Sequence, residues 1–208
     1  MTAPRYSLLI PVKDGNGAKS RLGVGSAEVR ARLMAAFAYD AIAAAAACDL
    51  VEVHVVGDPG RLTTQLSGLD VRIVADEGEG DLNRALSRAA LRVADPARGT
   101  AALLADLPCL RSADLASALE AALEPAPGRC FVPDADGSGT TLLVAPAGTA
   151  LDPRFGVGSA DGHTRSGAVA VGLGLTSLRL DVDTTDDLEA ALRFGVGART
   201  AEVASGLV

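Results

Sequence analysis

Residues 101–110 read AALLADLPCL: five small or apolar residues, then Asp106, then Pro108 two positions later. An unbroken apolar run of this length is the pattern of a central parallel strand, because helices cover both of its faces. Proline cannot donate to a strand ladder, so the strand is expected to end before Pro108, with Asp106 at its carboxyl end. Open α/β sheets bind their ligands beyond the carboxyl ends of the strands. An acid there either holds a metal ion against a phosphorylated ligand or merely opens a surface turn, and the rest of the chain has to decide.

Toward the N-terminus the same unit repeats. Ser7–Val12 (SLLIPV), Val51–Val56 (VEVHVV) and Val71–Val74 read as strands. Between them a helix is expected from Ser26, a good N-cap with Glu28 in the first turn, to about Ala47, and a short one through Leu66. Asp81 can cap a helix starting near Leu82, and Ser112 and Asp114 open another reaching about Leu123. This alternation predicts a parallel sheet between helical layers, joined by right-handed crossovers. After Pro125 come strands at Arg129–Pro133 and Leu142–Ala145. Leu178 and Leu180 alternate with polar residues and predict a last strand. Thr184 or Thr185 then caps a helix whose start carries Asp186 and Asp187. The expectation is one α/β domain over residues 1–208, with a mostly parallel central sheet and helices on both faces.

Composition narrows the class. With 208 residues and 49% hydrophobic content the chain can bury a sizeable core, yet only 3% is aromatic, so Ala, Val and Leu must build it. A net charge of −7 and no basic stripe argue against nucleic acid as a partner. The Ala-rich run 35–47 is interrupted by Asp40 and reads as a buried helix, not a membrane span. Three cysteines without close pairs argue against a disulfide framework or zinc site and suggest a reducing cytoplasm.

The candidate chemistry lies in loops. The chain has 19 basic residues but only two lysines, Lys13 and Lys19, both in the loop DGNGAKSRLG region after the first strand. Together with Arg21 and three glycines they could cradle phosphates, or form a solvated basic turn. A P-loop is rejected because Ala18 stands where glycine must precede the lysine. Gly78 and Gly80 make a flexible turn before Asn83, which can cap its helix or read a base edge. FGVGSADG at 155–162 departs from a dinucleotide fingerprint and reads as an anion-binding turn, with Ser159 as cap and hydroxyl donor. His163 follows, as a ligand contact or an exposed residue, whereas His54 within its strand reads as packed. Asp181 and Asp183 would leave a strand on the same side, an arrangement costly without a cation. With Asp106 they make three candidate oxygen ligands for Mg²⁺.

The set IPVK…AKSRL, GDLNRAL, LLADLPCL, PDADGSGTTLL, RFGVGS…H and LDVDTTDDL, in this order from about Leu8 to Leu192, resembles the guanylyltransferases of coenzyme F-420 biosynthesis. These act on 2-phospho-L-lactate or phosphoenolpyruvate. The resemblance implies a nucleotidyltransferase α/β fold similar to the glycosyltransferase A type. It also implies attack of a phosphorylated three-carbon acid on the α-phosphorus of GTP with release of pyrophosphate. Lys13, Lys19 and Arg21 would hold the GTP phosphates, and the turn from Gly78 through Gly80 to Asn83 would lie near the nucleoside. Asp106, Asp181 and Asp183 would bind metal, while Thr141, Gly156 and Ser159 would grip the acid. Val157 and Gly162 depart from the family pattern around the acid pocket. An Arg- and Ala-rich composition suggests a GC-rich bacterial coding sequence, and the bacterial members resemble phosphoenolpyruvate users. The product would be enolpyruvyl-diphosphoguanosine, handed to a downstream transferase. A homodimer is compatible with this reading. The alternatives are transfer to 2-phospho-L-lactate, a nucleotidyltransferase with a sugar-phosphate or pterin acceptor, and a non-catalytic nucleotide-binding module.

Overall fold

The computed structural model describes residues 5–13, 22–122 and 128–206. Seven strands form one sheet in the order β3-β2-β1-β4-β6-β5-β7. They are β1 (Tyr6–Pro11), β2 (Val51–Gly57), β3 (Arg72–Ala75), β4 (Gly99–Leu103), β5 (Cys130–Pro133), β6 (Thr140–Ala145) and β7 (Val169–Ala170). Strands β1 to β4 are mutually parallel where they pair, and β5 pairs parallel with β7. β6 runs antiparallel to both neighbours, β4 and β5, and so joins two parallel groups. The order reverses at β1, which lies between β2 and β4. That is the switch point where open α/β sheets leave a crevice at the carboxyl ends of the strands.

Alternation along β1 shows how the sheet sorts its side chains. Tyr6, Leu8 and Ile10 enter one apolar cluster, together with Leu62 of α2 (Pro59–Gln65) and Leu115 and Leu119 of α4 (Ser112–Ala121). Leu9 points the other way, into a second cluster with Leu86 and Ala89 of α3 (Leu82–Arg92) and Ala160 of α5 (Ser159–Arg165). Strand side chains repeat every two residues, so a run apolar at every position feeds both layers. β4 does the same with Ala101 and Leu103 on one side and Ala102 on the other. Each fully buried leucine is worth roughly 1.5–3 kcal/mol against exposure.

Helix α1 (Ala27–Ala46) is capped by Ser26, whose hydroxyl accepts from Val29 N–H, and Ala, the best helix former, makes up much of its length. Among the described residues no helix is long and apolar enough to cross a membrane. Asp40, the acid inside the Ala run, is buried and accepts from the amides of Arg199 (3.1 Å) and Thr200 (2.8 Å) at the start of α8 (Ala198–Ser205). It caps a helix about 160 residues away, and Gly197 is needed because a Cβ there would overlap the Asp40 carboxylate.

The expected strand at 177–180 is not present. Thr176–Arg179 form a short helix, α6, in which Leu180 N–H bonds to Thr176 C=O and Leu178 N–H to Leu175 C=O. With their amides spent locally, these residues cannot join a ladder, and two leucines spaced by two are too few to distinguish the periods. β7 and α8 were not expected from the sequence. β4 ends at Leu103, three residues before the expected Asp106, and the bounds of the remaining strands shift by at most two residues.

Asp40→Ala should strip two amides of their buried acceptor. We expect a loss of about 1–3 kcal/mol, seen in a melting scan as a Tm drop of roughly 3–10 °C.

Candidate active site

Strand β4 ends at Leu103, and Leu104 N–H donates to Thr141 C=O (2.9 Å) as the chain leaves the sheet. Asp106 therefore sits three residues beyond the strand, at the switch-point crevice. Its carbonyl accepts from Val182 N–H (3.1 Å), which lays the segment 181–183 directly against it. Helix α7 (Thr185–Phe194) begins in a capping box between Thr184 and Asp187. The Asp187 carboxylate also takes Asp183 N–H (3.1 Å), so Asp187 is a helix-start acid that additionally fixes the backbone of Asp183. Asp106, Asp181 and Asp183 end with one carboxylate oxygen each, all within 4.8 Å of one another. The strand expected to aim the last two is absent; the bond from Val182 and the capping box set the geometry.

Burial, then the neighbouring Asp106, Asp183 and Asp134 charges, push the Asp181 carboxyl up to about 7. Three hard oxygen donors in this crowding suit a hard divalent cation, which neutralises the repulsion that the acids otherwise impose on one another.

Lys13 lies two residues past the end of β1 and is exposed. It shares with Asp106 a cavity of about 280 Å³, walled by Met34 and Ala38 of α1, Leu82 of α3 and Ala105 after β4. Lys19 and Arg21 lie outside the described residues. Gly80 lies in the turn before α3. Asp81 caps that helix, accepting from Arg84 N–H (3.0 Å), which frees Asn83 from capping. The Asn83 side chain instead donates to Phe155 C=O (2.9 Å) and accepts from Phe155 N–H (2.7 Å).

The remaining candidates lie around β6. Thr141 is fully buried, and its hydroxyl approaches Leu178 C=O at 2.6 Å and Val132 C=O at 3.3 Å. A hydroxyl has one proton to donate, and here it goes to the carbonyl three residues before Asp181. Gly139 is obligatory nearby, since a Cβ would fall 2.2 Å from the Asp134 carboxylate that accepts its N–H. Arg179 donates to the carbonyls of Pro133, Asp134 and Leu173, tying α6 to this turn. Gly156 and Gly158 have φ of +129° and +69°, which a side chain would strain. Gly158, not Ser159, is the N-cap of α5, and Ser159 is the buried first helical residue.

His163 is neither exposed nor open to a ligand. It is fully buried, with Nδ1 2.9 Å from the Thr140 hydroxyl and Nε2 accepting from Arg154 N–H (3.0 Å). Burial, and then Arg129 and Arg154, lower its pKa to about 4, so the ring is neutral near pH 7. Because Nε2 accepts, Nδ1 carries the proton. His54 is packed as expected, against Glu52 (3.2 Å).

The model of the family described as "Guanylyl transferase CofC like" matches residues 6–205. The chain belongs to this family. Phosphoenolpyruvate guanylyltransferase of Streptomyces avermitilis is 50% identical, with 98% of this chain and 96% of that protein covered. Among solved structures, a protein of Desulfovibrio desulfuricans described as a nucleotide-diphospho-sugar transferase superposes with a TM-score of 0.72 at 18% identity, covering 98% of this chain and 95% of the other. Rv0371c of Mycobacterium tuberculosis, solved with manganese, has a TM-score of 0.51 at 23% identity over 92% of this chain and all of that one. The α/β fold with a mostly parallel sheet is thus that of the nucleotidyltransferases, as the motifs implied.

Asp181 gives a pH signature. Its folded pKa lies above the ordinary 3.8, so the folded state holds its proton through the window from about 4 to 7. The stability this contributes is present below pH 4 and is lost as pH rises through about 7. Metal-free Asp181→Asn should therefore melt above the parent at pH 8, by roughly 2–4 °C per kcal/mol relieved, with the gain vanishing toward pH 4. A gain independent of pH would remove the charge crowding as its cause.

Proposed function

We propose that this protein is a phosphoenolpyruvate guanylyltransferase, transferring GMP from GTP to phosphoenolpyruvate with release of pyrophosphate. The observation that carries the reading is the carboxylate triad beside the switch-point cavity, in a chain half identical to a relative of that name. GTP lies with its nucleoside in the cavity between α1 and the start of α3, and its phosphates are bound by Lys13, with Lys19 and Arg21 as further cations of the same sequence motif. Asp106, Asp181 and Asp183 hold the divalent cation, Mg²⁺ in the cell, a choice supported by the all-oxygen donor set and by the manganese of the related fold. Held by these three acids, the cation would supply charge neutralisation at the reacting phosphates.

The chemistry needs little else. A phosphate oxygen of phosphoenolpyruvate forms a bond to the α-phosphorus of GTP while the bond to the bridging oxygen breaks, and the electron pair leaves with pyrophosphate. The nucleophile is already ionised, so no general base is required. His163 is in any case occupied by Thr140 and Arg154. What remains is in-line positioning and charge stabilisation by the acids' cation and the lysines. Gly156 and Ser159 border the acid. Thr141 supports the same pocket from below, fixing the carbonyl of Leu178 ahead of Asp181. Its hydroxyl proton is not available to the substrate while that bond stands. The product diphosphate passes to a transferase that takes up the enolpyruvyl phosphate group. The three free, buried cysteines fit a reducing cytoplasm.

Purified protein incubated with GTP, Mg²⁺ and each acid in turn tests the reading through pyrophosphate and adduct formation. Phosphoenolpyruvate should show the higher kcat/KM. A preference for 2-phospho-L-lactate would change the acceptor and keep the reaction, whereas no adduct with either acid would end the reading. Asp106→Asn should remain folded yet lose about 100-fold or more in rate; near-normal turnover at saturating Mg²⁺ would take Asp106 out of the site.

Ser159 can be examined through binding alone. Ser159→Ala should weaken phosphoenolpyruvate binding by about 1.5–3 kcal/mol and nucleotide binding much less, as two separate calorimetric titrations would reveal.

A further inference from the structure

The segment Arg154–Ser159 carries two glycines with positive φ, yet its entry is held by side chains at two successive amides. Arg154 N–H donates to His163 Nε2 from within the same region, at 3.0 Å. Phe155 is gripped from elsewhere: Asn83 of α3 takes its N–H at 2.7 Å and donates to its carbonyl at 2.9 Å, across 72 residues of sequence. A primary amide that meets one peptide unit's neighbours in both directions fixes position and orientation together, as a single hydrogen bond cannot. Phe155 itself is nearly buried, its ring edge-on to His163 at 5.3 Å, so the loop cannot slide past this point without breaking the core contact. Immediately before Asn83, Leu82 forms part of the cavity wall that also holds Lys13 and Asp106. One residue of α3 therefore faces the nucleotide cavity, and the next holds the root of the loop assigned to the acid.

We propose that Asn83 is a positioning residue that couples the two substrate sites, making nucleotide binding at the start of α3 set the acid-binding loop 156–159 through Phe155. This rests on the assignment of the two pockets given above. The coupling is an energetic link between sites, and it is reciprocal: whatever factor bound nucleotide adds to acid affinity, bound acid adds to nucleotide affinity. It differs from the role implied by resemblance, in which Asn83 would touch the nucleoside directly.

The experiment compares the parent with Asn83→Ala and Asn83→Asp. Asn83→Asp retains an acceptor for Phe155 N–H but has no donor for its carbonyl. Phosphoenolpyruvate affinity is measured by calorimetry with Mg²⁺, with and without GTP bearing an α,β-methylene bridge, which cannot transfer. In the parent the nucleotide should tighten acid binding by about 5-fold or more. In Asn83→Ala the factor should fall toward one, with Asn83→Asp between them. Nucleotide affinity in the absence of acid should change far less than the acid KM in turnover. Hydrogen exchange at the Phe155 amide should be faster in Asn83→Ala, close to the parent in Asn83→Asp, which keeps the acceptor, and unchanged along the rest of α3 in both. A coupling factor preserved in Asn83→Ala would overturn the proposal. So would a loss of nucleotide affinity, without acid present, as large as the loss for acid, which would make Asn83 a direct nucleotide contact. Failure of the parent protein to form any guanosine adduct would instead strike the guanylyltransferase reading, and the coupling with it.

Discussion

Three carboxylates forced within 4.8 Å of one another are the constraint around which the rest of the molecule is arranged. Like charges at that spacing repel, and a chain keeps them together only if other bonds over-determine their positions. Here those bonds act on the backbone at or beside the acids. Val182 N–H holds the Asp106 carbonyl, the Thr184–Asp187 box takes Asp183 N–H, and Thr141 fixes Leu178 just upstream. Asp106 itself lines the crevice.

The sheet supplies the frame for that convergence. β1 to β4 bring Lys13 and Asp106 to the same carboxyl-end crevice, as parallel strands must. The reversed strand β6 lies beside β4 and carries Thr140 and Thr141 at its start, so that its N-terminal end meets the carboxyl end of β4. An antiparallel neighbour is what places the beginning of one strand next to the end of another. The acid-side residues thus reach the nucleotide-side residues through one strand reversal rather than through a long loop.

The sequence made the first four β-α units legible because each has a local signal: an apolar run, a capping residue, or a turn residue. Asp106 could be picked out for the same reason. Asp181 and Asp183 were selected by an expected strand that the structure replaces with a short helix, since four residues carry too little periodicity to tell the two apart. The sequence leaves Asn83 between capping and base reading, and His163 between ligand contact and plain exposure. Their actual partners are backbone groups and, for His163, the Thr140 hydroxyl as well, all reached through folding and in one case 72 residues distant, and no spacing along the chain encodes such a pairing. The local signal that could have redirected Asn83 was Asp81, already the better cap for the same helix.

The exposed position of Lys13 just past β1 has a practical side. The chain's basic side chains are otherwise guanidinium groups, which acylating reagents ignore at neutral pH, and its only other lysine follows six residues later in the same loop. Of the two side-chain amines, Lys13 stands at the mouth of the crevice. An activated ester can therefore reach very few amines on this protein, and among the described residues Lys13 is the one that lines the crevice.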